Sequence, residues 1–207
     1  MSAITIVGCG PGSWQYASHA ALQAIANADI LVGAQRLIEE FGAGKKTLVY
    51  TSLRATLETI RANSDKNIAV LVTGDPGFFS ITSLIIREFC ASAISIIPGI
   101  SSITYAFGRL GIPWHDAVFM SAHKAVPADF VEKIADCAKV GILTSPSHTP
   151  AILAQKIDPA VAVNRRFYVG ERLSYCDEKL CEYSYAQVCA MAADELSVLI
   201  IVKNEES

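Results

Sequence analysis

Short β-branched runs alternating with helical stretches of about ten residues constrain the fold of this chain more than any other feature. Ala3-Ile4-Thr5-Ile6-Val7 is the first such run; it stops at Gly8-Cys9-Gly10-Pro11-Gly12, and Ala21, Leu22, Ile25 and Ala28 then recur at helical spacing over 18–28. A strand at 30–32 follows directly. Helix 53–63, strand 68–73, helix 80–90, strand 93–97 and helix 101–110 continue the rhythm. Strands joined by right-handed helical crossovers make a mainly parallel sheet with helices on its faces.

Gly111-Ile112-Pro113-Trp114-His115-Asp116 interrupts the pattern with a composition that suits a domain connection. Beyond it the spacing predicts strand 117–121, helix 127–138, strand 140–144, helix 149–156, strand 166–170, a pair of strands around 179–185 and strand 197–202. The expected architecture is therefore two α/β domains, 1–113 and 114–207, the second with a mixed sheet.

Composition narrows the function. Of 207 residues 52% are apolar and 18% charged, enough buried surface to offset the ordering entropy, which excludes a disordered chain. No apolar run approaches the ~18 residues of a membrane span. Seventeen Lys and Arg against twenty Asp and Glu, interleaved rather than clustered, argue against nucleic acid, whose binding needs gathered cations. The N-terminus enters a strand with no basic region, apolar segment and cleavage site, so the cytoplasm is the expected compartment. Cysteines 9, 90, 137, 176, 181 and 189 form no Cys-x-x-Cys and no zinc spacing; they read as reduced thiols, with no metal expected.

In open α/β sheets ligands bind beyond the carboxyl ends of strands. Three such ends carry Gly8–Gly12, Gly74-Asp75-Pro76-Gly77-Phe78-Phe79 and Pro98-Gly99-Ile100-Ser101-Ser102; in the second half the equivalent places hold Thr144–Pro150 and Gly170-Glu171-Arg172-Leu173. Each alone is an ordinary turn, but together they let main chain approach a ligand closely. A dinucleotide is not that ligand: Ser13 stands where Gly-x-Gly-x-x-Gly needs its third glycine, Pro11 removes a donor, and the second strand ends at Val32-Gly33-Ala34 without an acid. No Gly-Lys-Ser/Thr marks a phosphate loop either. Asp75 is the notable carboxylate, placed where the amides of the following helix would pin it and leave an oxygen for a ligand. No nucleophile triad is readable; His123 and His148 are the histidines at strand ends.

Val7-Gly8-Cys9-Gly10-Pro11-Gly12, Thr73-Gly74-Asp75-Pro76-Gly77-Phe78 and Ile97-Pro98-Gly99-Ile100-Ser101-Ser102, in that order, resemble the tetrapyrrole methylases. Leu110-Gly111-Ile112-Pro113-Trp114-His115-Asp116, Ser121-Ala122-His123 and Val169-Gly170-Glu171-Arg172-Leu173 resemble, more narrowly, the branch of cobalamin synthesis that methylates carbon 5 of precorrin-7 or its cobalt form. The resemblance runs from residue 4 to about 202. It implies S-adenosyl-L-methionine as donor, a ligand cleft between the two α/β domains, a homodimer, and a corrin precursor rich in carboxylates as substrate. Matched by position, the cofactor shell is Pro11, Gly74, Asp75, Phe78, Ser102, Ile103, Leu143 and Gly170, with Phe78, Ile103 and Leu143 around the adenine. A general base is optional; if one takes a ring proton, His123 is the candidate for its strand-end position, and Arg109, Lys124 and Arg172 are the cations nearest the candidate cleft. The family's Ser-Leu-His-Gly-Arg stands here as Ser121-Ala122-His123-Lys124-Ala125, so Lys124 keeps a charge without the bidentate fork. Methylation at carbon 15 and decarboxylation are expected on a separate polypeptide. Another ring position, or a non-catalytic ligand-binding relative, stays open at this level.

Overall fold

Alternate residues of the first-half strands serve two cores. The computed structural model describes residues 4–89 and 93–204, and the chain divides between Ser101 and Ser102 into two compact units. In the first unit β1 (Ile4–Gly8), β2 (Ile30–Gly33), β3 (Lys46–Val49), β4 (Ile68–Val72) and β5 (Ile94–Ile97) form a parallel sheet in the order β3-β2-β4-β1-β5. From β4, Ala69 and Leu71 enter one core with Ile25, Leu31 and Leu37, while Ile68, Val70 and Val72 enter another with Ile6, Ile60 and Ile85. A central parallel strand is covered on both faces, so its sequence is an unbroken apolar run with no polar side.

Helices α1 (His19–Asn27), α2 (Gln35–Phe41), α3 (Leu53–Ala62) and α4 (Thr82–Glu88) make the crossovers. Ser18 and Ser52 start α1 and α3 by accepting the N–H groups of Ala21 and Ala55, each cap contributing about 1 kcal/mol. The sequence pattern does not disclose α2 and β3. Helix α2 buries only Leu37 and Phe41, and β3 is an edge strand without a buried residue, so neither shows a period. The expected end of helix 80–90 at Cys90 and the expected strand start at Ala3 lie outside the described residues.

The second unit contains α5 (Ser102–Leu110), β6 (Val118–Ser121), α6 (Phe130–Asp136), β7 (Lys139–Leu143), α7 (Pro150–Ala154), α8 (Pro159–Ala162), β8 (Arg165–Glu171), β9 (Lys179–Tyr183), α9 (Tyr185–Ala190) and β10 (Ser197–Lys203). Its sheet is mixed, in the order β6-β7-β10-β8-β9, with β6 and β7 parallel and the other pairings antiparallel. The expected strand pair near 179–185 is a single strand, β9, followed by α9. Ser184 and Gln187 close a capping box at the start of α9, a Ser-x-x-Gln signal that was readable in the sequence.

Helix α5 belongs to this second sheet, which moves the division from the expected residue 113 to 101. The reason is a glycine: a Cβ on Gly141 of β7 would stand 2.3 Å from Ile103 Cγ2 and 3.2 Å from Phe107 Cε2. Only a strand residue without a side chain lets α5 lie this close. Gly141→Ala is expected to destabilise the protein by about 1–3 kcal/mol through overpacking, seen as a lower melting temperature.

Among the described residues no helix is long and apolar enough to cross a membrane, and no three His, Cys, Asp or Glu side chains gather as metal ligands. Cys9, Cys137, Cys176, Cys181 and Cys189 are free thiols.

Candidate functional site

Strands β4, β1 and β5 are parallel neighbours, so the three glycine loops that follow them emerge at one edge of the first sheet. There the main chains touch. A Cβ on Gly8 would lie 2.6 Å from the Gly99 nitrogen and 2.9 Å from the Gly74 carbonyl oxygen; one on Gly99 would lie 2.3 Å from that same oxygen. Gly74 N–H donates to Gly10 C=O at 2.7 Å, and both glycines have φ above +70°. No L side chain satisfies that combination of close approach and left-handed backbone.

Asp75 fastens the stack. Its Oδ1 accepts the Gly77 N–H at 2.8 Å and its Oδ2 accepts the Gly99 N–H at 3.1 Å, joining the second loop to the third. This corrects the expectation of a carboxylate held by helix amides with one oxygen unoccupied: α4 begins only at Thr82, and both oxygens accept loop amides. Pro11 is buried beside Gly10, and the Phe78 ring meets Phe79 edge-on, with centroids 4.6 Å apart. Phe79 has φ +52° and is 53% exposed, a bulky residue in a conformation that costs about 1–3 kcal/mol. Pro11, Gly74, Asp75 and Phe78 therefore share one edge of one sheet. A depression of about 300 Å³ at the opposite end of β1 and β4 is lined by Thr5, Asn27, Asn67 and apolar neighbours, without a charged side chain.

The remaining residues lie in the second unit. Ser102 and Ile103 open α5. Ile103 is fully buried with its Cγ2 against Gly141, so its side chain packs the sheet and is not an open wall for adenine. Leu143 ends β7, and its carbonyl accepts the Ala122 N–H at 2.8 Å, tying the loop after β7 to the one after β6. His123 and Lys124 are exposed on the latter loop, where the His123 N–H donates to Ser121 Oγ at 3.4 Å. Ser145 Oγ donates to the Ala122 carbonyl at 3.0 Å and lies 3.2 Å from His148 Nδ1. Gly170 leaves room for Leu173, whose Cδ2 would be 2.9 Å from a Cβ there.

The two predicted substrate arginines each pair with a carboxylate of this chain. Arg109 Nε pairs with Glu178 Oε1 at 3.2 Å, while Glu178 Oε2 accepts from Tyr105 O–H and Ser174 N–H, both at 2.6 Å. Arg172 Nε pairs with Asp177 Oδ2 at 2.5 Å, and its guanidinium lies over the Tyr175 ring. Asp177 holds the Arg172 proton still more firmly than usual. Both arginines close the segment after β8, where Arg172 and Ser174 have φ of +47° and +73°. Lys124 makes no ion pair among the described residues. One cation escapes sequence inspection: Arg36, half-buried on the unrecognised helix α2, donates Nη2 to Thr73 Oγ1 at 2.5 Å beside the glycine stack.

The sequence pattern described as Tetrapyrrole (Corrin/Porphyrin) Methylases matches residues 3–188. The chain belongs to that family. It is 31% identical over 202 residues to the cobalt-precorrin-7 C(5)-methyltransferase of Salmonella typhimurium, covering 96% of this chain and 98% of that protein. In fold it is similar to a precorrin-6Y methylase of cobalamin biosynthesis from Archaeoglobus fulgidus, with TM-score 0.73, 22% identity and 99% of each chain covered. It is also similar to the uroporphyrin-III C-methyl transferase of Thermus thermophilus, solved with S-adenosyl homocysteine, with TM-score 0.76, 17% identity, and 97% of this chain and 92% of that one covered. Both units of this tetrapyrrole methylase are α/β, as the alternation of strands and helices implied.

Proposed function

We propose that this tetrapyrrole methylase transfers a methyl group from S-adenosyl-L-methionine to carbon 5 of cobalt-precorrin-7 or precorrin-7. The observation that carries the reading is the 31% identity spanning nearly the whole of both chains with an enzyme named for that reaction. The glycine stack suits the donor: Gly8 and Gly99 let three loops pack main chain against main chain, where a Cβ would clash, and so bring backbone groups and the fixed Asp75 carboxylate together at one edge. The donor, when bound, supplies a methyl group already activated by a sulfonium.

The chain's own part is binding, orientation and exclusion of water. Pro11, Gly74, Asp75 and Phe78 hold the donor from the first unit, with Asp75 contributing negative potential toward a cation from a position it keeps by its two amide bonds. Ser102, Ile103, Leu143 and Gly170 are the further residues that the family resemblance assigns to the donor. Proximity and orientation supply about 7–11 kcal/mol of the barrier without a covalent intermediate. Methylation of a ring carbon releases a proton, and His123 is the residue assigned to take it; Lys124 offers a positive charge to substrate carboxylates. The reading includes a homodimer, pairing in function with a separate carbon-15 methyltransferase and decarboxylase, and a cytoplasmic setting, with which the free thiols among the described residues accord.

Incubation of the purified protein with S-adenosyl-L-methionine and either cobalt-precorrin-7 or its metal-free form tests this. The expected product gains one methyl group, located at carbon 5 by NMR. A methyl group at another ring carbon, or no transfer to either substrate, overturns the assignment.

A further inference from the structure

Helix α2 starts immediately beyond β2, and β2 is the neighbour of β4, so the first turn of α2 stands at the edge where Gly74 and Asp75 emerge. Arg36 in that turn reaches Thr73, the residue before Gly74, and donates Nη2 to its hydroxyl at 2.5 Å. It also reaches the first loop electrostatically. Burial pushes the Cys9 thiol up to about 12, against the opposing pull of a backbone hydrogen bond at Val72 and of the Arg36 charge.

What sets Arg36 apart is its partner together with its burial, since Arg87 and Arg166, which also lack a carboxylate among the described residues, are exposed. Among the described residues Arg54, Arg61, Arg109 and Arg172 each face a carboxylate. The buried Arg165 donates to the carbonyls of Cys137 and Ala135 at the end of α6. Arg36 has neither; its hydrogen bond goes to a neutral hydroxyl. The acids of its own helix bond to other groups, Glu39 accepting from Gln35 Nε2 at 2.7 Å and Glu40 from the Trp14 N–H at 2.8 Å. The nearby Asp75 is occupied by the amides of Gly77 and Gly99. A half-buried guanidinium with five N–H donors, one of them used, is costly unless a counter-charge arrives.

We propose that Arg36 is the receptor for a ligand carboxylate at the glycine-loop edge. Thr73 takes one of the two N–H groups of Nη2, and the other still completes a fork, with Nε or with Nη1, that can grip both carboxylate oxygens. The inference rests on the methyltransferase reading, which brings two carboxylate bearers to the protein: the amino-acid end of the donor and the acidic side chains of the tetrapyrrole.

Titration calorimetry on the full chain with three probes separates these sources: S-adenosylhomocysteine, 5′-methylthioadenosine, which lacks the amino-acid carboxylate, and uroporphyrin III. If the donor's carboxylate is the guest, Arg36→Gln weakens S-adenosylhomocysteine by about 10- to 100-fold and leaves methylthioadenosine unchanged. If the guest is on the tetrapyrrole, the same loss falls on uroporphyrin III and the adenosine ligands bind as before. Arg36→Lys, a point charge without the fork, should lose less in the same pattern, and carries the test if Arg36→Gln does not fold. Variants that bind all three probes like the wild type overturn the proposal while the wild type's own methyl transfer stands. A wild-type protein that binds neither S-adenosylhomocysteine nor uroporphyrin III overturns the methyltransferase reading and the proposal with it.

Discussion

Gly99→Ala is expected to cost about 3 kcal/mol or more of stability and to abolish measurable binding of S-adenosylhomocysteine. The new methyl group would sit 2.3 Å from the Gly74 carbonyl oxygen and 2.8 Å from the Gly8 carbonyl carbon. Both are backbone atoms of strand-end loops, and a flexible side chain cannot move aside to absorb the clash, so the variant belongs at the severe end of overpacking. Each kcal/mol lowers the melting temperature by roughly 2–4 °C in a chain of this size, and the expected loss is about 6–12 °C. Thermal melting and calorimetry read the two effects. Wild-type melting together with wild-type affinity would show that the three loops do not depend on this contact.

Replacing Asp75 should produce the other large effect, and the comparison of two substitutions identifies its cause. Hydrogen bonds to charged groups contribute about 1.5–3 kcal/mol each, and Asp75 accepts two, from Gly77 and Gly99. Asp75→Ala loses both, with an expected stability loss of roughly 3 kcal/mol and a fall in S-adenosylhomocysteine affinity of about 100-fold. Asp75→Asn keeps one acceptor but turns an NH2 group toward an N–H donor, so about half of the stability loss is expected. Urea denaturation and calorimetric titration measure both quantities. An Asn variant equal to wild type in each would remove Asp75 as the clamp between the loops.

The legibility of the fold varied with how much of each segment is buried. Strand β4 could be read because every one of its five residues is covered, and α3 because Ser52 caps a helix that buries Thr56, Leu57 and Ile60 at regular spacing. Edge elements carried no such signal: β3 has no buried residue and α2 has two, and with α2 went Arg36. The domain division was displaced because Gly111 and Pro113 look like a boundary, whereas Gly141, thirty positions later, is what admits α5 to the second sheet. In the candidate site, the glycine loops announce themselves through composition, but nothing in the spacing shows that Arg109 and Arg172 pair with Glu178 and Asp177.

The sequence by itself determined the alternation of strands and helices, the parallel first sheet and the mixed second one, and the three glycine-bearing strand ends. These follow from local chemistry, since apolar runs select buried strands and glycine admits positive φ. Only the tertiary structure decided that Gly8, Gly74 and Gly99 meet at one point, that the Asp75 carboxylate spans two loops, and that Arg36 faces a hydroxyl where Arg54, Arg61, Arg109 and Arg172 face acids. Strand order places residues distant in the chain side by side, and a charge acquires its role from the groups folding puts next to it, which no stretch of neighbouring residues records.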